Sequence, residues 1–236
     1  MFKYFLVFGF LSSLLWASAD KLVVGTNAEF PPFTYIDKGA IVGFDIDVAK
    51  EVAQRLGKEI QWKDVPFDAL IPEVILGQVD FVAAGMSYTE ERARRVSFTQ
   101  SYLSGDPLVI FSKQKMKLED LKGKTVVVVE GFTADLFMSS QKGFNLIRLP
   151  TQADAFLAIK NGRAEAFVTA KTTTDCFIEN QGNFSFQITS IEGTAETCAL
   201  VVPKTKPQML NAIQKVLNEI EEDGTMIKLL KKWNLQ

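Results

Sequence analysis

Gly85, Ser87 and Arg92 have the types and spacing needed to bind a carboxylate. They lie in GMSYTEERARR, residues 85–95, which follows an apolar run that predicts a buried strand. A guanidinium can hold a carboxylate through two parallel hydrogen bonds, and a serine hydroxyl can add a third. If Gly85 and Ser87 end the strand, Arg92 lies one turn into the next helix and points back, near the partial positive charge of the helix N-terminus.

The same stretch also has a purely structural interpretation. Ser87 and Glu90 have the spacing of a capping box, and Thr89 is another candidate N-cap. In that case Arg92 is one charge on a solvated helix face. Spacing alone favours this structural interpretation, and for Thr89 we keep it as the prediction.

The composition excludes several other kinds of site. The net charge is −2 with both signs interspersed, and there are no histidines and two cysteines. A basic stripe with interleaved aromatic residues is missing, so we expect no nucleic-acid partner. A zinc site, another metal site or a histidine-based catalytic triad is not expected, and no cofactor is predicted.

The first nineteen residues are typical of a secretory signal peptide. A short positive start is followed by an apolar core at 4–15 that is too short to span a bilayer, and Ala17-Ser18-Ala19 suits a peptidase. Because no cysteine lies near this point, we predict a cleaved signal, not a lipoprotein anchor, and a periplasmic protein. In that compartment Cys176 and Cys198 would form one disulfide or remain two buried thiols.

From Asp20 onward, short strands alternate with amphipathic helices. The segment GFDIDVAKEVAQRLGK, from residue 43, predicts a helix, and FDALIPEVILGQ, from residue 67, predicts another with Asp68 as its N-cap. Two closing helices are predicted, divided at Asp223-Gly224. This alternation indicates an α/β fold with largely parallel sheets, in which ligands gather at the carboxyl ends of strands.

Seven stretches, taken together, resemble the periplasmic polar-amino-acid binding proteins of ABC importers, solute-binding protein family 3. They are VGTNAEFPPF (24–33), GFDIDVAKEVAQRLG (43–57), FDALIP (67–72), GQVDFVAAGMSYTEERARRVSFTQSY (77–102), LEDLKGKTVVVVEG (118–131), NGRAEAFV (161–168) and EEDGTMIKLLKKW (221–233). They span essentially all of the chain after residue 19, in the family's order. Any one of them alone would be a weak indication.

The resemblance implies a two-lobed binding-protein fold (type II), in which two hinge strands join mostly parallel sheets flanked by helices. Residues 20–105 plus 203–236 would form lobe one, and residues 106–202 would form lobe two. Such a protein is expected to be a monomer that closes on a small carboxylate ligand, predicted to be a polar amino acid, and that serves an inner-membrane ABC permease.

The resemblance also implies roles for particular residues. Those matching Gly85, Ser87 and Arg92, with Met86 between them, would hold the ligand's α-carboxylate, which reverses the structural interpretation of Arg92. Phe30 and Phe67 match aromatic walls around the ligand side chain. Thr133, also a candidate N-cap, would complete the carboxylate clamp from the opposite lobe. Asn27 stands where relatives that take basic side chains often have an acid.

The chain departs from the family pattern at Ala170. Family members usually have an acid there that binds the ligand's α-ammonium, and Thr169 precedes this position. An unpaired ammonium in a closed cleft costs roughly 1–3 kcal/mol or more. Another acid could bind the ammonium instead, or threonine hydroxyls and carbonyls could bind it. Alternatively, the ligand could lack an α-amino group. The candidates are Glu29, Glu130 and Asp175 for the acid, and Thr169, Thr172 and Thr173 for the hydroxyls and carbonyls.

Two other functions remain as alternatives to a transport receptor. A few relatives of this fold dehydrate prephenate or arogenate, which needs an acid or lysine with a shifted pKa, nominally Glu29, Glu130 or Lys171. The sequence contains no paired catalytic constellation, so we predict that the protein is not an enzyme. The second alternative is an extracytoplasmic sensor that binds a carboxylate other than an amino acid.

Overall fold

The computed structural model of the protein describes residues 21–181 and 185–235, without the side chains of residues 180 and 181. The predicted signal peptide at 1–19 lies outside these residues. In chain order the strands are β1 (Lys21–Thr26), β2 (Glu29–Phe30), β3 (Thr34–Asp37), β4 (Ala40–Val42), β5 (Glu59–Asp64), β6 (Phe81–Val82), β7 (Ser97–Phe98), β8 (Leu103–Asp106), β9 (Leu108–Ser112), β10 (Thr125–Val129), β11 (Asn145–Leu149), β12 (Ala166–Ala170), β13 (Gln187–Ser190), β14 (Glu196–Cys198) and β15 (Val201–Val202). The helices are α1 (Phe44–Arg55), α2 (Leu70–Ile75), α3 (Glu90–Ala93), α4 (Thr133–Ser139), α5 (Gln152–Lys160), α6 (Lys171–Gln181), α7 (Pro207–Glu222) and α8 (Thr225–Lys232).

The first lobe is built around a sheet with the strand order β5-β1-β6-β15-β7. Strand β1 is parallel to β5 and β6, whereas β15 is antiparallel to β6 and to β7. Among the described residues, four strands of this sheet therefore run in one direction and β15 runs in the other. The carboxyl ends of β1 and β6 meet at one edge, and the segments that follow them carry the predicted site residues.

The second lobe is built around a sheet with the strand order β11-β10-β12-β9-β13. Strand β10 is parallel to β11 and β12, and β9 is antiparallel to its neighbours β12 and β13. The carboxyl end of β10 leads to α4, and that of β12 leads directly to α6. Those two helix starts form the second wall of the cleft.

Two antiparallel strands, β8 and β14, pair with each other outside both sheets and form the hinge. The chain leaves the first lobe through β8 and returns through β14, which leads to β15. Within this pair Glu196 lies opposite Asp106. The hinge therefore places two carboxyl side chains beside each other where the lobes meet.

The alternation of apolar and polar residues accounts for the core. The buried face of α1 includes Ile46, Ala49, Val52 and Ala53, as its periodicity predicts. Strand β12 is buried along its whole length, as expected of a central strand covered on both faces. The predicted division between α7 and α8 is also confirmed. The exact lobe boundaries stay a prediction; β15 itself pairs within the first sheet.

Three predicted helix starts are wrong. Asp68 is not an N-cap, because residues 67–69 form a 3₁₀ turn and α2 follows it with no side-chain cap. Ser87 does not form a capping box, because its hydroxyl donates to the carbonyl of Thr197 at 2.8 Å. Thr133 is the first residue of α4, and the N-cap position belongs to Phe132. In each case a contact with another part of the molecule, or a tighter turn, replaces the local cap.

Candidate functional site

Gly85, Met86 and Ser87 follow β6 and are fixed by residues far away in the sequence. The Gly85 N–H donates to a carboxylate oxygen of Asp45, which is fully buried and also accepts from the Tyr102 hydroxyl at 2.9 Å. Met86 is 1% exposed. The Ser87 hydroxyl both donates to and accepts from the main chain of Thr197. These bonds attach the predicted carboxylate-binding loop to α1 and to the hinge.

Gly85 also needs to be glycine for two separate reasons. Its φ of +59° lies in the left-handed region, and an added Cβ would come within 2.6 Å of the Phe30 ring. The ring of Phe30, 4% exposed, therefore packs directly on the backbone of the loop. This close approach positions one of the two predicted aromatic walls.

Arg92 is buried at the junction of the two lobes. It is 5% exposed, and its guanidinium donates to the carbonyl of Ser87 at 2.7 Å and to the carbonyl of Gly131, in the second lobe, at 2.8 Å. The guanidinium carbon lies 5.3 Å from the centre of the Phe67 ring. Thr89 caps the short helix α3 by accepting from the Arg92 N–H at 3.2 Å, as predicted.

Among the described residues, Arg92 has no ion-pair partner. In the described part of the chain, no carboxylate oxygen lies within 4.0 Å of its guanidinium. Desolvation lowers the pKa of Arg92 to about 10, partly offset by Glu196 and Glu91. Arg92 thus stays charged at neutral pH, with main-chain carbonyls as its hydrogen-bond partners. A buried cation held in this way is suited to receive an anion.

The second lobe contributes the segment between β10 and α4. The Phe132 ring contacts Phe67 at 4.4 Å and Phe30 at 5.5 Å between ring centres. The Thr133 side chain is close enough to Glu196 to lower the pKa of that carboxyl group. Phe132 therefore occupies the space beside both predicted walls, and the lobes are closed on each other.

The hinge contributes the acidic part of the site. Asp106 accepts from the Thr172 N–H at 3.1 Å with one oxygen, whereas its other oxygen is buried and has no hydrogen-bond partner. Burial raises the pKa of Asp106, and nearby Asp175 adds to this rise. Desolvation also raises the pKa of Glu196, to about 7; Asp106 adds to the rise, while Thr133 and Arg92 oppose it.

Asp106 and Glu196 line one small space together with Phe30, Phe33, Gly85 and Leu103. Its volume is about 10 Å³, which is enough for about one water molecule. The charge of Arg92 and the side chain of Thr133 both act on Glu196 and lower its pKa. In this closed conformation the acids Asp106 and Glu196 line a space that protein atoms almost fill, and Arg92 is the cation that acts on Glu196.

The remaining predicted site residues lie around this centre in supporting positions. Asn27 is 6% exposed and its side-chain amide donates to the Val65 carbonyl at 3.2 Å. Thr169 and Ala170 are both 2% exposed at the end of β12, before α6. Ala170 thus lies where the second sheet meets the cleft, but its side chain cannot bind a charge.

Three acids were predicted to bind the ligand's α-ammonium in place of the acid missing at Ala170, and none of them lines the small space between Asp106 and Glu196. Glu130 is exposed, Asp175 pairs with Lys171 on the surface of α6, and Glu29 lines a separate cavity. The carboxylates that reach the centre, Asp106 and Glu196, were missed. Asp106 precedes a proline and a buried strand in SGDPLVIF, and an acid at that point is a signal that could have been noticed.

The described residues contain no group of histidine, cysteine, aspartate and glutamate side chains arranged to hold a metal ion. Within the same residues, no helix is both long enough and apolar enough to cross a membrane. Cys176 and Cys198 are both thiols and are not joined by a disulfide. Lys171, named for the dehydratase alternative, forms an ion pair with Asp175 on the surface of α6.

Comparison with known proteins identifies the family. The sequence profile of the bacterial extracellular solute-binding proteins, family 3, matches residues 22–236. The chain belongs to this family. The resemblance found in the sequence is therefore confirmed. Family 3 consists of solute-binding proteins, and the dehydratase alternative gains no support from it.

Relatives of this family 3 protein are similar along nearly its whole length. The arginine-binding extracellular protein ArtP of Bacillus subtilis is 30% identical over 218 residues, which cover 90% of this chain and 86% of ArtP. The ABC transporter arginine-binding protein 1 of Escherichia coli is 29% identical over 223 residues, with 92% of each chain covered.

A solved structure with the same fold is that of an ancestral arginine-binding protein bound to arginine. It has a TM-score of 0.86 and 35% identity, and the match covers 90% of this chain and 97% of that one. The two-lobed α/β architecture predicted for this family 3 protein is thus confirmed. The protein is an extracellular solute-binding protein of the class that serves ABC transporters.

Proposed function

We propose that this protein binds an amino acid between its two lobes and delivers it to an ABC permease in the membrane. The observation that carries the proposal is Arg92, a buried guanidinium that bonds to carbonyls of both lobes and has no carboxylate within 4.0 Å among the described residues. A cation in such a place is stabilised when an anion enters. The ligand's α-carboxylate supplies that anion.

The carboxylate takes the place of the Gly131 carbonyl at the Arg92 guanidinium. This carbonyl accepts from Arg92 across the cleft at 2.8 Å. A carboxylate can accept two parallel, charge-assisted hydrogen bonds from the same guanidinium. These bonds are stronger than a hydrogen bond to a neutral carbonyl. The Thr133 hydroxyl of the second lobe then turns from Glu196 to the ligand. Closure is favoured because both lobes bind the same group.

The ligand's α-ammonium binds the hinge acids Asp106 and Glu196, which replace the acid missing at Ala170. One oxygen of Asp106 is buried without a partner, and Glu196 lies beside Arg92 and Thr133. The ammonium and carboxylate of an amino acid are attached to one carbon, so their binding groups must also be adjacent. The hinge acids and Arg92 meet this condition, which supports a zwitterionic ligand over a simple carboxylate.

The protein is also proposed to work in the periplasm. The signal-like segment at 1–19 directs export, without a lipid anchor, to the periplasm, where the protein acts as a monomer. The two relatives described above are named as arginine-binding proteins, and one is named as part of an ABC transporter. By analogy, a polar amino acid such as arginine is the first ligand to test.

The test is calorimetric titration of the purified chain with the twenty amino acids, followed by titration of the Arg92→Ala variant. Removing charge-assisted hydrogen bonds worth roughly 1.5–3 kcal/mol each is expected to lower the affinity for the best ligand by about 100-fold. The neighbouring Arg95 is exposed, so Arg95→Ala serves as a matched control that removes one charge and leaves affinity unchanged.

An Arg92→Ala variant that binds as tightly as the parent protein contradicts the carboxylate clamp. Binding of the parent protein to none of the twenty amino acids contradicts the amino-acid class. Urea unfolding of both variants verifies that each is folded at the titration temperature.

A further inference from the structure

Two glycines beside the cleft, one in each lobe, have their N–H groups held by a buried aspartate. In the first lobe the Gly85 N–H, after β6, donates to Oδ2 of Asp45 at 2.5 Å. In the second lobe the Gly131 N–H, after β10, donates to Oδ2 of Asp135 at 3.1 Å. Both glycines have a left-handed φ, +59° and +76°, which favours glycine. The two lobes therefore use the same local arrangement at the end of an inner strand.

Asp135 is itself held in one orientation. It is 6% exposed, and the Arg148 guanidinium, from β11, forms an ion pair with it at 2.9 Å. The Ser139 hydroxyl donates to Oδ1 of Asp135 at 3.0 Å and accepts from Arg148 at 2.7 Å. Both carboxylate oxygens are thus engaged, and charge-assisted hydrogen bonds of this kind are short and directional. The carboxylate that accepts from the Gly131 N–H is therefore fixed by side chains of α4 and β11.

Asp45 is fixed in a different way. It is fully buried at the start of α1, and the oxygen that accepts from Gly85 also accepts from the Tyr102 hydroxyl at 2.9 Å. Tyr102 is 7% exposed and immediately precedes the hinge strand β8. The other oxygen of Asp45 is buried and has no hydrogen-bond partner among the described residues. The hydrogen bonding of this carboxyl group is thus concentrated on the oxygen that faces Gly85 and Tyr102.

The two glycine segments supply the carbonyls that orient Arg92. Its guanidinium donates to the Ser87 carbonyl, two residues after Gly85, at 2.7 Å and to the Gly131 carbonyl at 2.8 Å. Thr133, predicted to complete the carboxylate clamp, comes two residues after Gly131. Each side of the clamp therefore lies within two residues of an N–H that an aspartate holds. A shift of either glycine would move one side of the clamp relative to the other.

Gly131 also has little room to move against the first lobe. A Cβ added to it would lie 3.2 Å from the Cβ and 3.4 Å from the Cα of Asp68. Its carbonyl is bound to Arg92 of the same lobe. Because its N–H is held by Asp135, Gly131 is presented to the first lobe in a single orientation.

We propose that Asp45 and Asp135 are positioning residues for ligand binding, one in each lobe. Asp45 holds the segment whose Ser87 carbonyl orients the Arg92 guanidinium. Asp135 holds the segment that brings Thr133 opposite that guanidinium. Neither aspartate contacts the ligand, and each acts through the glycine whose N–H it accepts. This inference rests on the proposed function and adds the groups that pre-organise its carboxylate site.

The first experiment compares Asp135→Ala with Asp135→Asn by calorimetric titration. Arginine is the probe, and the tightest-binding of the other nineteen amino acids replaces it if arginine does not bind. Alanine removes the acceptor of the Gly131 N–H, so the segment must be ordered on binding, and we expect affinity to fall about 10-fold. Asparagine keeps an acceptor oxygen, so the expected loss is no more than about 3-fold.

The same comparison applies to the first lobe. The amide oxygen of Asp45→Asn can accept from both Gly85 and Tyr102, whereas Asp45→Ala leaves both donors without this acceptor. We expect about a 10-fold loss of affinity in the alanine variant and recovery of most of it in the asparagine variant. If Asp45→Ala does not fold, the two Asp135 variants decide the outcome.

Each lobe offers a matched control, an aspartate that accepts a main-chain N–H away from the cleft. Asp120 accepts from the Lys117 N–H at 2.8 Å, in the turn before β10. Asp80 accepts from the Val23 N–H at 2.9 Å and immediately precedes β6. Both lie before the strand that leads to the glycine, at the opposite edge of the sheet. Asp120→Ala and Asp80→Ala are expected to leave ligand affinity unchanged.

Two further measurements separate positioning from a general loss of stability. In an Arg92→Ala background, Asp135→Ala should cost less affinity than it does in the parent protein, because no guanidinium remains for the clamp. Hydrogen exchange of the Gly131 N–H, measured without ligand, should be slow in the parent protein and in Asp135→Asn and faster in Asp135→Ala.

Three results would overturn the positioning role and leave the amino-acid function standing. They are unchanged affinity in Asp135→Ala, equal losses in Asp135→Ala and Asp135→Asn, and a loss in Asp120→Ala as large as that in Asp135→Ala. Full additivity of Asp135→Ala with Arg92→Ala would overturn it as well. If the parent protein binds none of the twenty amino acids, the proposed function itself is refuted, and this inference with it.

Discussion

Arg92 and Glu196 are ionisable side chains of opposite charge in one cleft, and desolvation disfavours the charged form of each. The pKa of Arg92 is lowered to about 10, and that of Glu196 is raised to about 7. Arg92 remains a cation throughout the neutral range, whereas Glu196 changes its charge there. The ionisation of Glu196 therefore controls how well the site accepts an ammonium group.

Ligand affinity is expected to rise with pH from about 5.5 to 7.5. Below pH 7 Glu196 is mostly protonated and cannot pair with an ammonium, which costs roughly 10-fold in affinity for each pH unit below its pKa. The charged and titratable groups that act on Glu196 are Asp106 and Arg92. Calorimetry over this pH range measures the trend, and Glu196→Gln should reduce it. An affinity that instead falls as pH rises would mean that Glu196 repels the ligand's carboxylate.

The stability of the ligand-free protein should show the opposite trend. A carboxyl group with a raised pKa binds more protons in the folded state than in the unfolded state, so it favours folding at low pH. For Glu196 this contribution is complete below about pH 4.5 and is lost as pH rises through about 7; Asp45, with its pKa raised to about 6, acts in the same direction. Melting temperatures at pH 5.5 and 8 test this expectation. A melting temperature that is higher at pH 8 than at pH 5.5 would contradict the raised pKa values of Glu196 and Asp45.

At the scale of elements, the site depends on the segments that follow strands. The loop after β6 is fixed by Asp45 of α1 and by the hinge residue Thr197, and α3 has only four residues. A helix of one turn is not stable alone, so its position comes from these contacts and from the Thr89 cap. Gly85 is the point at which the loop, Asp45 and the Phe30 ring come together.

Gly85→Ala should destabilise the protein by about 2–5 kcal/mol. A left-handed φ costs a non-glycine residue roughly 1–2 kcal/mol, and forcing a Cβ against the Phe30 ring adds roughly 1–3 kcal/mol. Gly39 is the matched control, because its φ is +83° but an added Cβ meets nothing within 4 Å. Urea unfolding compares the two variants. A Gly85→Ala variant that is no less stable than Gly39→Ala would show that contact with Phe30 is unimportant.

The elements were largely predictable, and the site was predictable only in part. The periodicity of residues 43–57 predicts α1, and the apolar runs predict β6, β10 and β12. These predictions succeed because the burial pattern of one helix or strand depends only on neighbouring residues in the sequence. Arg92 was found through whole-chain resemblance, since its own neighbourhood also fits a capped helix. Asp106 and Glu196 were missed because they are 90 positions apart in the sequence, and the hinge pairing that joins them is not a local property.

At the scale of the whole molecule, Phe132 connects the two lobes. It is 7% exposed and contacts both Phe30 and Phe67 of the first lobe. Together with the Arg92–Gly131 bond, these contacts favour a closed conformation that has almost no space at its centre. A ligand must therefore displace Phe132, or enter while the lobes are apart.

Phe132→Ala should shift the ligand-free protein towards an open conformation. Two aromatic contacts worth roughly 0.5–1.5 kcal/mol each are lost, so the ratio of open to closed molecules should rise by roughly 5- to 150-fold. Small-angle scattering should then give a larger radius of gyration for the ligand-free variant. Phe137, half-buried in helix α4, which begins directly after Phe132, packs within the second lobe and provides the control Phe137→Ala. Expansion in both variants, or in neither, contradicts the role assigned to Phe132.

The pairing of β15 with β6 also has a consequence for the order in which the chain can fold. The strands of the second sheet all lie between residues 108 and 190, so that sheet can be completed from one continuous segment. The first sheet cannot, because Val82 of β6, which pairs with Gly25 on one side, obtains its second neighbour, Val201, only after the strands of the second sheet have been synthesised. Contacts between residues so distant in sequence form slowly. The lobe that carries Arg92 is therefore the later of the two to be completed.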